Sequence, residues 1–261
     1  MDLGISGRKA LVCGASSGLG LACATALVRE GVQVVIVART EGPLREAAER
    51  LNALGPGRAD WVAADVASAE GRARIFAAHP DFDIVVTNAG GPPPGDFRDW
   101  DREAWIKAVD ANMLTPIELI KSQVDGMAAR GYGRIVNITS SSVKAPIDIL
   151  GLSNGARSGL TGFVAGVARN PKLAAQGVTL NNLLPGSFAT DRLHVTMQSA
   201  ATKTGQTLEA VWEARKKTIP AQRYGNPQEF GAICAFLCSL QAGYMTGQNV
   251  LADGGAYPGT Y

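Results

Sequence analysis

The chain has 261 residues, 46% of them hydrophobic and 18% charged, and its 25 Lys and Arg against 23 Asp and Glu leave a formal charge of +2. So small a surplus, with no Lys/Arg cluster, gives no electrostatic footprint for nucleic acid, and a mean hydropathy of +0.05 excludes a disordered chain. No apolar run approaches the ~18 residues of a membrane span, and residues 1–7 lack a basic flank and an apolar leader core. The expectation is a cytoplasmic protein with neither a membrane nor a nucleic-acid partner.

In chain order, short β-branched runs at 9–13, 32–38, 61–64, 84–87, 134–138, 178–183 and 249–252 read as strands. Several are apolar without alternation, as strands covered on both faces are. Helix-like stretches lie between them at 19–30, 43–54, 69–78, 102–129, 152–168 and 227–239. This rhythm predicts a single α/β domain over 1–261, a doubly wound parallel seven-stranded sheet with helices on both faces, Rossmann-type. The polar stretch 187–218 breaks the rhythm and reads as a substrate lid or as an ordinary surface excursion. Its apolar residues, Leu193, Val195, Met197, Leu208, Val211 and Trp212, line a cleft or face the core. Cys234 and Cys238 sit in an apolar run as buried small hydrophobes. His79 and His194, far apart, suggest no metal site.

The first strand runs into Gly14-Ala15-Ser16-Ser17-Gly18-Leu19-Gly20, and a helix follows. Glycines at this turn let the backbone approach a pyrophosphate whose charge then meets the helix N-terminus. The second strand ends at Arg39, where an acidic residue would bind the ribose 2′-hydroxyl of NAD(H). An arginine meets a 2′-phosphate, so NADP(H) is favoured over NAD(H). The third strand ends in Asp65-Val66, whose carboxylate can accept from an adenine amino group. The fourth ends in Asn88-Ala89-Gly90, at a carboxyl edge where open α/β sheets bind ligands. The run Gly90-Gly91-Pro92-Pro93-Pro94-Gly95 is a rigid cleft wall or a stiff connector.

Together with the strand Gly133-Arg134-Ile135-Val136-Asn137-Ile138, Pro185-Gly186, and the ending Tyr244-Met245-Thr246-Gly247-Gln248 through Asp253-Gly254-Gly255, these motifs resemble the short-chain dehydrogenase/reductase family over essentially the whole length. Among its branches the chain looks most like the 3-oxoacyl-carrier-protein reductases. The resemblance implies that Pro185, Gly186 and Thr190 flank the nicotinamide carboxamide. It also implies a homo-oligomer, tetramer or dimer, built on the helices at 102–129 and 152–168. Cys13 stands where the family has Thr.

Family enzymes use Asn, Ser, Tyr and Lys. Asn112 matches the first and Ser140 the second, but Ser153 stands at the Tyr position and Arg157 at the Lys position. Between Tyr132 and Tyr224 there is no tyrosine to realign. Gly155, Gly159, Gly162 and Gly166 share one helical face, at a cost of about 1 kcal/mol each against Ala. That stripe implies close packing within the subunit or against a second copy. Ser153 and Arg157 fall on the opposite face. An arginine holds ribose hydroxyls but sheds no proton at neutral pH, so the family's acid is missing. Lys144 and Asp148, in the loop after Ser140, are candidates to enter the cleft, Lys144 as a participant or a solvated charge. Tyr257 and Tyr261 reach a site only by folding back or across a subunit boundary.

Two classes of function compete. One is a divergent NADP(H)-dependent oxidoreductase acting on a small carbonyl or alcohol. The other is a catalytically impaired nucleotide-binding sensor or scaffold, with a non-redox isomerase or lyase as a further alternative.

Overall fold

The computed structural model describes residues 1–260, so Tyr261 lies outside the described residues. Seven strands form one parallel sheet in the order β3-β2-β1-β4-β5-β6-β7. They are β1 Lys9–Cys13, β2 Gln33–Ala38, β3 Arg58–Ala63, β4 Ile84–Thr87, β5 Gly133–Ile138, β6 Val178–Pro185 and β7 Asn249–Ala252. Successive side chains on β1 and β2 feed two cores, as a period of two requires. Ala10, Val12, Val34 and Ile36 join the layer that contains Leu27, Leu44 and Phe230. Leu11, Cys13, Val35 and Val37 join the layer with Ile75, Leu119 and Leu160.

These layers belong to helices on the two faces. α1 (Gly18–Arg29), α2 (Glu41–Asn52) and α10 (Pro227–Leu237) cover one face. α3 (Ala69–Ala78), α5 (Thr115–Ala129) and α6 (Gly151–Val167) cover the other. α4 (Arg102–Val109) leads into α5 through one π turn, Asp110–Leu114, so the predicted helix at 102–129 is interrupted in its middle. β3 begins three residues earlier than predicted. As an edge strand it tolerates the polar residues Arg58 and Asp60, which obscure its pattern. The chain leaves β1 toward β3 and returns to β4, which makes the carboxyl ends of β1 and β4 the topological switch point where such sheets bind ligands.

A ladder of side-chain hydrogen bonds ties the strands together close to that edge. Thr87 donates to Asn137 (2.8 Å), Asn137 to Asn182 (3.2 Å) and Asn182 to Asn249 (2.9 Å). The stretch 187–218 is largely helical, with α8 at Asp191–Thr204 and α9 at Leu208–Lys217, after the short α7 (Pro171–Ala174) and β6. Its caps were legible: the Thr190 hydroxyl accepts from the Leu193 N–H, the Thr207 hydroxyl accepts from the Ala210 N–H, and Gly205 ends α8 at φ 68°. α9 buries no residue; in α8 Met197 is buried and Val195 is exposed. All four cysteines are buried and free. His79 faces Asp60 at 3.1 Å and His194 stacks near Trp212. No group of metal-ligating residues occurs among the described residues, and no described helix is long and apolar enough to cross a membrane.

Candidate active site

The turn after β1 is made of backbone. Gly14 and Gly18 both sit at φ 58°, where a side chain is strained. A Cβ on Gly20 would fall on the Gly14 carbonyl, 2.8 Å from its carbon. Ala15 donates its N–H to Val37 O at 3.3 Å. The Asn88 amide donates to Gly14 O at 3.2 Å, so Asn88, with half-buried Ala89 behind it, locks the turn to β4. Ser17 caps α1 without spending its hydroxyl, and the first-turn N–H groups beyond Ser16, at Gly18, Leu19 and Gly20, lack intrahelical acceptors. A Cβ on Gly18 would meet nothing nearer than Thr190 Cγ2 at 3.9 Å, and one on Gly90 nothing within 4 Å. A pyrophosphate fits this open cradle in size and in charge.

The remaining cofactor candidates lie around the same edge. Arg39 follows β2, exposed and without a hydrogen bond or ion pair among the described residues. Asp65 accepts from the Ala67 N–H with one oxygen (3.0 Å), which leaves the other for a ligand. The Val66 carbonyl is taken by Arg72 (2.9 Å). Pro185 ends β6 opposite Ala252, and the Gly186 N–H donates to Ala252 O at 2.8 Å. A Cβ on Gly186 would sit 2.6 Å from Asp253 Cβ. Thr190, at the head of α8, faces Gly18.

Ser140 starts a one-turn 3-10 helix, Ser141–Val143, at the carboxyl end of β5. Its oxygen accepts from the Ser142 N–H (3.1 Å) and from the Ser142 hydroxyl (2.9 Å). A hydroxyl both donates and accepts, so the Ser140–Ser142 pair can run in either direction and Ser140 is able to give a hydrogen bond or to take one. Asn112 occupies the π turn, a distortion frequent at functional sites. Its amide donates to Ala108 O (3.2 Å), and its buried Oδ1 has no partner. Thr115 Oγ1, Thr139 Oγ1 and Asn154 Oδ1, and Thr179 Oγ1 near the amino end of β6, are buried without a partner in the same way among the described residues.

Ser153 and Arg157 share the buried face of α6, and Gly155, Gly162 and Gly166 lie on its exposed side. Only part of the glycine stripe is filled by the chain itself. Trp105 lies against Gly155 (3.1 Å from a Cβ there) and Met113 against Gly159 (2.7 Å), while Gly162 and Gly166 face open space. Ser153 makes no side-chain hydrogen bond among the described residues. Arg157 places Nη1 on the carbonyls of Ile138 and Thr139, both at 2.8 Å, directly before Ser140. Its Nε and Nη2 make no hydrogen bond among the described residues. Burial, and then the charge of Arg192, push its pKa down to about 10, so it is still a cation at neutral pH. The Gly95 N–H at the end of the Pro-rich loop donates to Ile149 O (2.9 Å), and Trp100 packs between Gly95 and Gly151.

Sequence reasoning missed Arg192, whose guanidinium lies on Gly91, 2.6 Å from a Cβ there. Its signal was a cation in the first turn of a capped helix, where the dipole disfavours it. The structure also carries Lys144 and Tyr257 to each other: the Lys144 ammonium lies 5.6 Å from the centre of the Tyr257 ring. Asp148 is exposed in the loop beyond.

Comparison with known proteins agrees with this geometry. A family profile described as enoyl-(acyl carrier protein) reductase matches residues 14–257. The chain is 33% identical to the acetoacetyl-CoA reductase of Cupriavidus necator, over 97% of this chain and 99% of that one. It is 30% identical to the 3-oxoacyl-[acyl-carrier-protein] reductase of Vibrio cholerae, over 98% and 99%. The L-sorbose reductase of Gluconobacter frateurii, solved with NADPH and L-sorbose, superposes with a TM-score of 0.93 at 29% identity, over 100% of both chains. Sheet order, glycine cradle and full-length similarity thus agree: the chain belongs to the short-chain dehydrogenase/reductase family and resembles its 3-oxoacyl-acyl-carrier-protein reductase branch.

Proposed function

We propose that this protein is an NADP(H)-dependent oxidoreductase acting on a small-molecule carbonyl or alcohol. The observation that carries the reading is Ser140: it stands at the carboxyl end of β5, held by Ser142, on the sheet edge that carries an open dinucleotide cradle. NADP(H), when bound, supplies or receives the hydride, and the chain's task is alignment. The α1 N-terminus with Gly14, Ser16, Ser17, Gly18, Leu19 and Gly20 holds the pyrophosphate. Arg39 holds the 2′-phosphate and leaves NAD(H) without an acidic partner for its 2′-hydroxyl. Asp65 and Val66 meet the adenine, and Asn88, Ala89 and Gly90 the ribose side. Pro185, Gly186 and Thr190 receive the carboxamide. Arg157 offers Nε and Nη2 to the nicotinamide ribose, and Asn112 offers its orphaned Oδ1. Ser140 donates to the substrate oxygen, with Ser153 as a second hydroxyl on the same side.

On this reading the lid is 187–218, and the exposed Gly162 and Gly166 face takes a second copy in a dimer or tetramer of a cytoplasmic enzyme. The absence of the family's Tyr and Lys on α6 favours one rival, a nucleotide-binding sensor or scaffold. The two are separated by titrating NADPH fluorescence and then following NADPH oxidation with acetoacetyl-CoA, L-sorbose and a panel of simple ketones. Turnover that falls by roughly 10²-fold to 10³-fold in Ser140→Ala, the usual cost of one oxyanion donor, supports the enzyme. Tight NADPH binding with no turnover on any carbonyl selects the sensor.

A further inference from the structure

Resting on that reading, we propose that Arg192 sets the specificity of the cleft: its guanidinium receives a carboxylate of the substrate, which makes the substrate an oxo acid or the matching hydroxy acid. Arg192 is a cation without a counter-charge. Its side chain makes no hydrogen bond or ion pair among the described residues, whereas Lys216 and Arg223 are paired with Glu213 and Glu229. Asp191 precedes it in the chain, but consecutive residues do not share a helical face. Arg192 also stands in the first turn of α8, where the helix dipole opposes a positive charge. Such a position is stabilised when an anion arrives.

The same side chain reaches from the lid to the loop after β4. Thr190, which caps α8, lies 3.9 Å from a Cβ on Gly18, so the first turn of the lid helix stands against the cofactor cradle. From there Nη2 and Nη1 of Arg192 lie 2.6 and 3.1 Å from the place of a Cβ on Gly91, in the loop that Asn88 begins. Glycine leaves the guanidinium that seat; a side chain at 91 would evict it. The neighbouring cation is Arg157, buried, with Nη1 on the carbonyls of Ile138 and Thr139 directly before Ser140. Burial and then the charge of Arg192 lower the Arg157 pKa, so the two guanidinium groups are within electrostatic reach of each other. A cleft lined by one sign of charge concentrates ligands of the other.

The anion is the substrate's. On the reading above the cofactor's phosphates have seats of their own, at the α1 N-terminus and at Arg39, and Arg157 belongs to the nicotinamide end. A carboxylate fits Arg192 in shape and in charge: it is planar, takes two parallel N–H bonds from one guanidinium, and carries the single charge that one free arginine neutralises. Val195, one turn further along the same face of α8, is exposed and gives the carbon skeleton an apolar neighbour. The carboxylate is a handle, and no bond to it changes while the carbonyl carbon takes the hydride.

The test follows NADPH oxidation with 2-oxo, 3-oxo and 4-oxo acids of equal chain length, each beside its primary amide, the neutral isostere. For at least one spacing the wild-type protein is expected to prefer the acid by roughly 10-fold to 10²-fold in kcat/KM, the range of one hydrogen bond to a charged group. Arg192→Met is expected to erase that preference through KM, with kcat and the amide reaction unchanged and NADPH affinity within about twofold of wild type. Arg192→Lys is expected to keep part of it. Amides reduced as well as acids at every spacing overturn the proposal. So does an Arg192→Met protein that binds NADPH more weakly and keeps the acid-to-amide ratio, a result that gives Arg192 to the cofactor's phosphates. Both leave the oxidoreductase reading standing. If NADPH binds and neither acids nor amides turn over, that reading fails, and calorimetry of the acids on the NADP+-loaded wild-type and Arg192→Met proteins decides for the carboxylate site: binding lost in the variant supports it, and equal binding, or none in either, overturns it.

Discussion

The two ends of the cleft are built from different materials. At the cofactor end the site is backbone: positive-φ glycines, helix-terminal N–H groups and a carbonyl held by Asn88. At the catalytic end it is side chains: Ser140 held by Ser142, Arg157 on two carbonyls, Lys144 against Tyr257. Backbone approach tolerates no substitution for glycine, so the first end keeps its motif. A proton donor can be delivered from any segment that reaches the edge of the sheet. The second end can therefore change residues while the cradle stays as it is.

The largest effect is expected where backbone meets backbone. Gly20→Ala would drive a methyl group into the Gly14 carbonyl, which cannot rotate away. Overpacking of this kind costs about 1–3 kcal/mol of stability, and it displaces the turn that holds the pyrophosphate. The variant is expected to melt several degrees lower and to lose NADPH binding by 10²-fold or more. Gly90→Ala separates the two consequences. Its methyl group enters open space, so Tm should hold while NADPH affinity falls. A Gly90→Ala protein with wild-type affinity would show that the cofactor passes elsewhere.

The catalytic end is sharpened by putting the family pair back. Ser153→Tyr with Arg157→Lys restores a phenol and an amine on the buried face of α6. The double change is expected to raise turnover on simple ketones by roughly 10²-fold or more, the usual contribution of a side-chain acid. No gain would mean that the cleft already holds its proton donor. The measurement is kcat at saturating NADPH for the two proteins.

The same division explains what the sequence could reveal. The succession of strands and helices and the glycine cradle follow from periodicity and glycine placement, which are local, whereas the order of strands in the sheet comes from the structure. The face that Ser153 and Arg157 share is also local, read from helical phase; that this face is the buried one is not. The helices of 187–218 are harder to read because both are mostly polar and α9 buries nothing, although Leu208, Val211 and Trp212 recur at helical spacing. Their caps, Thr190 and Thr207, were the available signal. Arg157 seated on the Ile138 and Thr139 carbonyls was not legible, because choosing an acceptor requires knowing that β5 ends beside α6. The Lys144–Tyr257 contact joins positions 113 residues apart, and no local pattern encodes it. Tyr261, the other tail candidate, lies outside the described residues.

The smallest effect is expected at the capping box that starts α10. The Asn226 side chain accepts from the first turn, and the Glu229 carboxylate accepts from the Asn226 N–H (2.8 Å) while Arg223 holds both its oxygens (2.7 and 2.8 Å). The Arg223 hydrogen bonds, and then the Asn226 N–H, bring the Glu229 pKa down to about 2. An acid whose pKa is depressed on folding adds stability above its unfolded value and loses it as pH falls through the folded one. The contribution should therefore be complete at pH 7, decline below about pH 4.5 and vanish near pH 2. Because the carboxylate is solvent-exposed, the effect is the smallest of the set. Glu229→Gln is expected to lower Tm slightly at pH 7, and the two melting curves should converge as the solution is acidified across that window. A gap that persists at pH 2 would assign the stabilisation to packing at the head of α10 and not to the charge.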